Sequence, residues 1–228
     1  MNNKNKSNHL RSIRSDLSPY LFHYTKGSNP YANMESILQE CCLKSQKHNY
    51  ICFTDAPATS NIPLLEYMYA KYPQRPMYSH YGIGFSRDIM YEKYDARNVI
   101  YGTLKEKELI DISLHWRFEE MNIETHDFSW LREWRIEGNN FDFSEFPKEH
   151  IIIIAPTKVD LNSLIGEEDY EVDFSYEHEI RSSIPYLIQT NKRKLKGFTT
   201  EEIKNTPNDF TVSAKTENQI FGEDIGFL

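Results

Sequence analysis

Five consecutive apolar residues, Ile151–Ala155 (IIIIA), constrain the fold of this chain more than any other feature of its sequence. A run of this kind is typical of a β-strand that is covered on both faces. Such a strand needs neighbouring strands at its edges and a layer of side chains over each face. With 228 residues, the chain can supply these in one domain, or in one domain with appendages.

The rest of the hydrophobic pattern predicts short strands separated by helices of uneven length. We predict strands at 20–24, 50–54, 81–86, 98–103 and 129–137, and helices at 34–43 (with Asn33 as N-cap), 63–72, 87–95, 159–165 and near 176–191. Because the regular strand–helix alternation of a doubly wound sheet is missing, we predict an α+β fold. We expect a flexible N-terminal lead-in at 1–18, a single α+β domain at 19–190 and a polar C-terminal tail at 191–228.

Charge and cysteine content limit the partners and the compartment. The chain has 34 acidic and 26 basic side chains and a net charge of −8, which disfavours broad binding to nucleic acid but allows a local basic groove. Cys41, Cys42 and Cys52 are odd in number and lack CxxC spacing, as expected of inert thiols in a reduced cytoplasm. No apolar run of about 18 residues and no secretory signal core is present, so we predict a cytoplasmic protein without a membrane partner.

Several familiar catalytic and cofactor motifs are missing from the sequence. There is no HExxH motif and no paired CxxC, so we expect no metal site. There is no GxSxG elbow of a serine hydrolase. Gly82 and Gly84 form only a GxG, without the third glycine of a dinucleotide-binding turn.

Two strands carry polar residues in positions that could share a cleft. Side chains alternate along a strand, so His23 and Thr25 face one way and Phe22 and Tyr24 the other. By the same alternation, Glu133 and Arg135 lie opposite Trp134 and Ile136. His23 could donate a hydrogen bond to a ligand, and Glu133 could stabilise developing positive charge or act as a general base. The alternatives are that His23 is an interior histidine and that Glu133 pairs with Arg132 or Arg135.

The order of these segments resembles a known family. An aromatic-His-Tyr-Thr strand is followed by MESILQECCLKS, ICFTDAP, YGIGFSRD, NVIYGT and LREWRI. This series resembles the ADP-ribosyltransferase-like fold of bacterial toxin–antitoxin and phage-defence proteins over roughly residues 20 to 155. Its first part is similar to the DarT group, and its YGIGFSRD, NVIYG and EWR segments are similar to the AbiGi abortive-infection family.

The resemblance implies a fold and a set of site residues. The fold would have two small mixed or antiparallel sheets flanking an NAD cleft, with peripheral helices. His23 would contact the ribose next to the nicotinamide, and Glu133 would stabilise the oxocarbenium-like state. Phe53, Tyr67 and Tyr81 are alternatives for the ring that stacks the nicotinamide, and Arg87 would contact a phosphate or the acceptor. The implied NAD-binding residues are His23, Tyr24, Thr25, Phe53, Thr54, Tyr67, Tyr81 and Arg87.

The resemblance also implies a function in antiviral defence by abortive infection. The expected activity is transfer of ADP-ribose from NAD, as a substrate, to a macromolecular acceptor, either nucleic acid or protein. A cognate toxin or antitoxin would be a further partner. The alternative is a non-catalytic member of the same fold that acts as an antitoxin or partner-binding module, because the AbiGi family includes proteins assigned that role.

Overall fold

A computed structural model describes residues 16–45, 47–71, 78–172, 186–191, 193 and 195–205 of the chain. Most of the expected lead-in and tail, and most of the helix expected near 176–191, lie outside these residues. The strands are β1 (Tyr20–Tyr24), β2 (Cys42–Lys44), β3 (Tyr50–Thr54), β4 (Gly82–Ser86), β5 (Arg97–Asn98), β6 (Ile100–Gly102), β7 (Phe118–Glu120), β8 (Glu133–Glu137), β9 (Asn140–Asp142), β10 (Ile151–Ala155), β11 (Glu167–Val172), β12 (Tyr186–Asn191) and β13 (Lys196–Thr199). The helices are α1 (Pro30–Glu40), α2 (Ala58–Lys71), α3 (Arg87–Lys93), α4 (Leu104–Lys107), α5 (Lys158–Ile165) and α6 (Thr200–Lys204), with short 3₁₀ helices at Ile112–Arg117, Ser129–Leu131 and Lys148–His150.

A seven-stranded sheet organises the described residues, in the order β13-β10-β4-β1-β3-β8-β5. Neighbouring strands within this sheet are antiparallel, except for β10 and β13, which are parallel. β2–β9, β6–β7 and β11–β12 form three two-stranded ribbons. The predicted α+β class is confirmed, although the main sheet is larger than either of the two small sheets that the resemblance implies. No helix in the described part of the chain is long and apolar enough to span a membrane.

Each face of the sheet is covered by its own hydrophobic core. Leu21, Ile83 and Ile153 belong to the core of one face, beneath α1, α3 and α5. Phe22 and Ile152, their neighbours in sequence, belong to the core of the other face, beneath α2 and α6. β10 is buried at every position, as expected of a strand covered on both sides.

A break in the hydrogen-bond ladder divides the sheet between β1 and β3. The two strands pair only at Phe22↔Thr54, whereas β1 pairs with β4 along all five residues. The break separates β13-β10-β4-β1 from β3-β8-β5. Beyond the single pairing, the His23 side chain bridges the strands, because its Nδ1 lies 2.9 Å from the Cys52 carbonyl oxygen.

Several of the sequence-based predictions about the elements need correction. α1 begins at Pro30, and its N-cap is Asn29, which lies four residues before the expected N-cap Asn33. The early start is favoured because proline suits the first helical position. Residues 186–191 form a strand where a helix was expected.

β13 and α6 lie beyond the boundary expected at residue 190; β13 pairs with β10 in the sheet, and α6 contributes to the second core. Gly197 lets β13 pack closely against α5 in the first core, because a Cβ there would lie 2.4 Å from Cδ1 of Leu161.

Candidate functional site

A cavity of about 290 Å³ opens beside the break between β1 and β3. This volume is at the lower end of the range for small-molecule pockets, about 300–1,000 Å³. Most of the lining residues that belong to strands lie on the sheet face covered by α2. Phe53 belongs to the core of the opposite face, and strand alternation places His23 on that opposite face as well. The lining residues are Phe22, His23, Tyr24, Lys26, His48, Tyr50, Cys52, Phe53, Thr54, Asn61, Leu64, Leu65, Met68, Tyr78, Glu119, Phe128, Trp130, Leu131, Glu133 and Arg135.

The cavity brings together five of the residues proposed from sequence, because His23, Tyr24, Phe53, Thr54 and Glu133 all line it. Thr54 has a structural role there. Its hydroxyl donates to the Leu131 carbonyl at 2.6 Å and accepts from the Ala56 amide at 3.1 Å. These bonds hold the chain leading into β8 against the end of β3.

Thr25 and Tyr81 lie outside the cavity lining. The Thr25 hydroxyl is buried and lies 2.8 Å from the Ser79 hydroxyl, and Tyr81 donates to the Asp160 carboxylate at 3.1 Å. Burial and Asp160 raise the pKa of Tyr81 to about 12. The assignment of both residues to NAD binding is therefore not supported by their positions.

Arg87 and Tyr67 also lie outside the cavity lining, for opposite reasons. Arg87 is buried and pairs with the buried Asp55 carboxylate at 3.7 Å, so its charge is directed to Asp55 and not to the cavity. Tyr67 is 56% exposed on α2, where Lys71 lies 5.4 Å from its ring. Phe53 is thus the one of the three proposed stacking rings that borders the cavity.

His23 has a defined tautomer. A carbonyl oxygen can only accept, so Nδ1 carries the proton donated to Cys52. Burial lowers the pKa of His23, and Lys26 adds to the effect, which keeps the ring neutral near pH 7. Nε2 is then a hydrogen-bond acceptor, in place of the donor role expected from sequence.

We expect this histidine to make folding sensitive to mild acid. Its pKa is lowered in the folded state, so the stability it contributes is complete above about pH 6.5 and is lost as the pH falls through the folded-state pKa. His23→Asn keeps a donor near the Nδ1 position without a titrating ring. Urea unfolding at pH 7.5 and 5.5 should show a smaller loss of stability for His23→Asn than for the parent chain, and equal losses would contradict the assignment.

Glu133 is the first residue of β8, and Arg135 holds its carboxylate in place. Nε of Arg135 donates to Oε1 of Glu133 at 2.8 Å, and Nη2 lies 3.4 Å from Oε2. Nη2 also contacts the carboxylate of Glu119 on β7. The expected pairing of Glu133 with Arg135 is therefore present, and yet both residues still border the cavity.

Arg132, the other expected partner of Glu133, pairs with Asp55. It has a left-handed backbone, with φ +47°, and its Nε donates to Asp55 at 2.8 Å. Asp55 therefore anchors two arginines at the end of β3. Of the two arginines, Arg135 is therefore the one that pairs with the Glu133 carboxylate.

Aromatic rings form much of the cavity wall. Tyr50 stacks with His48, with ring centres 4.9 Å apart, and the Arg135 guanidinium lies 4.0 Å from the Tyr50 ring centre. Tyr78 and Trp130 complete a wall that could hold a flat ligand ring. Burial and the charge of Glu133 raise the pKa of Tyr78, so its phenol stays protonated at neutral pH.

Within the described ranges, no group of three His, Cys, Asp or Glu side chains could hold a metal ion. No protein-family model, curated protein or solved structure matches the chain. Support for the chemistry of the site therefore comes from its own residues. Its defining features are a neutral histidine acceptor, a carboxylate oriented by a buried arginine and a cavity with aromatic walls.

No signal in the sequence singles out Glu119, Tyr50 or Tyr78 as site residues. Glu119 is followed by a second glutamate, and nothing in this pair distinguishes one from the other. Tyr50 and Tyr78 were two among 15 tyrosines. Only the tertiary contacts with Arg135 and the cavity identify them.

Proposed function

We propose that the chain transfers ADP-ribose from NAD to a macromolecular acceptor, with Glu133 stabilising the oxocarbenium-like state and His23 positioning NAD. The observation that carries this proposal is that His23 and Glu133, which lie far apart in sequence, border one cavity with aromatic walls. The order of the motifs in the sequence supports it independently.

The cavity has suitable chemistry for the nicotinamide end of NAD. Its volume of about 290 Å³ fits the nicotinamide and its ribose better than the whole dinucleotide. Nε2 of His23 would accept a hydrogen bond from a ribose hydroxyl, and Phe53 would border the nicotinamide. Cleavage of the bond between nicotinamide and ribose leaves positive charge on the sugar, which the Glu133 carboxylate would stabilise.

The break in the seven-stranded sheet supports an ADP-ribosyltransferase-like arrangement. Four strands lie on one side of the break and three on the other, and the cavity opens beside it. Two small half-sheets would then flank the NAD cleft, as the resemblance implies.

The acceptor and the biological setting rest on the resemblance. The acceptor would be nucleic acid or protein, and the setting would be antiviral defence with a cognate toxin or antitoxin. Lys26 supplies a positive charge to the cavity lining, but the net charge of −8 disfavours a broad nucleic-acid surface.

A second candidate is a non-catalytic antitoxin or partner-binding module of the same fold. The ion pair between Glu133 and Arg135 favours it, because a carboxylate bound by arginine on a strand can serve stability alone. In that case NAD would not be consumed, and substitution of Glu133 would change only the stability.

We expect NAD to raise the melting temperature of the chain by several degrees at saturation, because a ligand that binds only the folded state stabilises it. His23→Ala should weaken NAD binding by about 1–3 kcal/mol, the cost of an unpaired polar group. Differential scanning fluorimetry with increasing NAD would measure both effects.

Tyr67→Ala is the matched control, since Tyr67 is exposed and lies outside the cavity lining. It should bind NAD as the parent chain does. An unchanged melting temperature of the parent chain at millimolar NAD, together with no release of nicotinamide, would refute the proposed function.

A further inference from the structure

We propose that Glu119 is a second catalytic carboxylate of this site, the general base that takes the proton from the nucleophile attacking the ribose. This inference rests on the proposed function and names a residue and a role beyond the motifs that led to it.

Glu119 and Glu133 border the same cavity and contact the same guanidinium nitrogen, Nη2 of Arg135. Oε2 of Glu133 lies 3.4 Å from this nitrogen, and Oε2 of Glu119 contacts it directly. Given a contact of at most ~3 Å on the Glu119 side, the two oxygens are no more than about 6.5 Å apart. Carboxylate pairs that cleave glycosidic bonds lie about 5 to 9.5 Å apart, and this upper bound is compatible with the lower part of that range.

Arg135 also fixes the backbone that carries Glu119. Its Nη1 donates to the carbonyl oxygens of Trp116 and Phe118, each at 3.0 Å. Its side chain is only 3% exposed, and it is further held by Tyr50 and by Nε bonding to Glu133. Both carboxylates are therefore positioned before a ligand arrives, which reduces the ordering required in the transition state.

The two carboxylates differ in their access to water. The Glu133 side chain is 11% exposed and that of Glu119 is 32% exposed. The more buried acid suits the developing charge on the sugar, because electrostatic stabilisation is stronger where water is excluded. The more accessible acid suits a nucleophile that arrives from solvent, either an acceptor hydroxyl or water.

The bond between nicotinamide and ribose is an N-glycosidic bond, and its transfer balances with one base. The C1′–N bond breaks and its electron pair stays on the nicotinamide nitrogen, so the pyridinium leaves as neutral nicotinamide. An oxygen of the nucleophile forms a bond to C1′ and loses its proton to the Glu119 carboxylate. Glu119 then releases that proton to solvent, and water as nucleophile gives free ADP-ribose.

Glu119→Gln should lower the turnover number about 100-fold or more and leave the KM for NAD nearly unchanged, because general-base catalysis contributes about 10²–10⁴-fold. Glu120→Gln is the matched control. Glu120 is the next residue of β7, is exposed and does not border the cavity. Release of nicotinamide and the melting temperature would be measured for both variants.

Azide separates a base from a structural carboxylate, because the azide anion attacks C1′ without losing a proton. Sodium azide should accelerate Glu119→Ala and yield ADP-ribosyl azide, detected by mass spectrometry, and it should not restore Glu133→Gln. Turnover of Glu119→Gln within about threefold of Glu120→Gln would overturn the inference while leaving the proposed function intact. So would failure of azide to accelerate Glu119→Ala, or loss of the fold in both Glu119 variants. Absence of nicotinamide release by the parent chain would instead refute the proposed function itself.

Discussion

Glu133→Gln is expected to lower the rate of ADP-ribose transfer about 100-fold or more while NAD affinity changes little. The amide preserves the volume of the side chain but removes the charge that would stabilise the oxocarbenium-like state. Only interactions that are stronger in the transition state than in the ground state affect the chemical step. Arg135 would still be held by Glu119 and two carbonyl oxygens, so the fold should persist.

Glu137→Gln is the matched control for this variant. Glu137 is at the other end of β8, is exposed and does not border the cavity. Transfer of labelled ADP-ribose and the melting temperature would be measured for both proteins. A Glu133→Gln protein that is destabilised but fully active would exclude the catalytic role and leave Glu133 as a salt-bridge residue.

Arg135→Met is expected to lower the free energy of unfolding by about 3–5 kcal/mol, the typical cost of removing one partner from a buried ion pair. Burial alone would lower the pKa of this guanidinium, but Glu133 and Glu119 outweigh it and raise the pKa, so the arginine is charged throughout the accessible range. Its loss leaves Glu133 without its counter-charge and removes a hydrogen-bond donor from two carbonyl oxygens.

Arg97→Met provides the matched comparison in urea unfolding. Arg97 also packs on a tyrosine, with its guanidinium 4.3 Å from the Tyr91 ring centre, and pairs with Asp95. Its side chain is 30% exposed, and Asp95 is mostly exposed, so its removal should cost no more than about 1 kcal/mol. Arg135→Met combined with Glu133→Gln should recover part of the loss. Similar losses for Arg97→Met and Arg135→Met would show that the buried charge is not the cause.

The strands with a clear local signature could be predicted from sequence. β10 is a pure apolar run, and β1 and β3 carry aromatic and β-branched residues between turn residues. β2 and β9 were missed, since three residues are too few to show an alternation. β13 was missed because its Lys and Gly residues read as polar tail, and only its pairing with β10 makes it a strand.

The site was predictable only where strand alternation decides which residues share a face. Alternation separates His23 from Phe22 and Glu133 from Trp134, but it places His23 and Glu133 on opposite faces of the sheet, and only the fold brings both to one cavity. The position of Arg87 could not be predicted, because Asp55, the partner that buries it, is distant in sequence. Glu119 could not be selected either, since its place in the cavity depends on an arginine from another strand.

The strand order also determines when this protein can fold. No two neighbours in the seven-stranded sheet are consecutive strands, so a tight turn joins none of the pairs. Each pairing has to close a long loop before its hydrogen bonds form, which slows folding. During synthesis on the ribosome, β4 is made before its partner β10, and β3 is made before its partner β8. The aromatic strand β1 is made before both of its partners, β3 and β4. Until about two thirds of the chain has been synthesised, β4 or β3 therefore lacks one of its partners and depends on chaperones or transient contacts for protection.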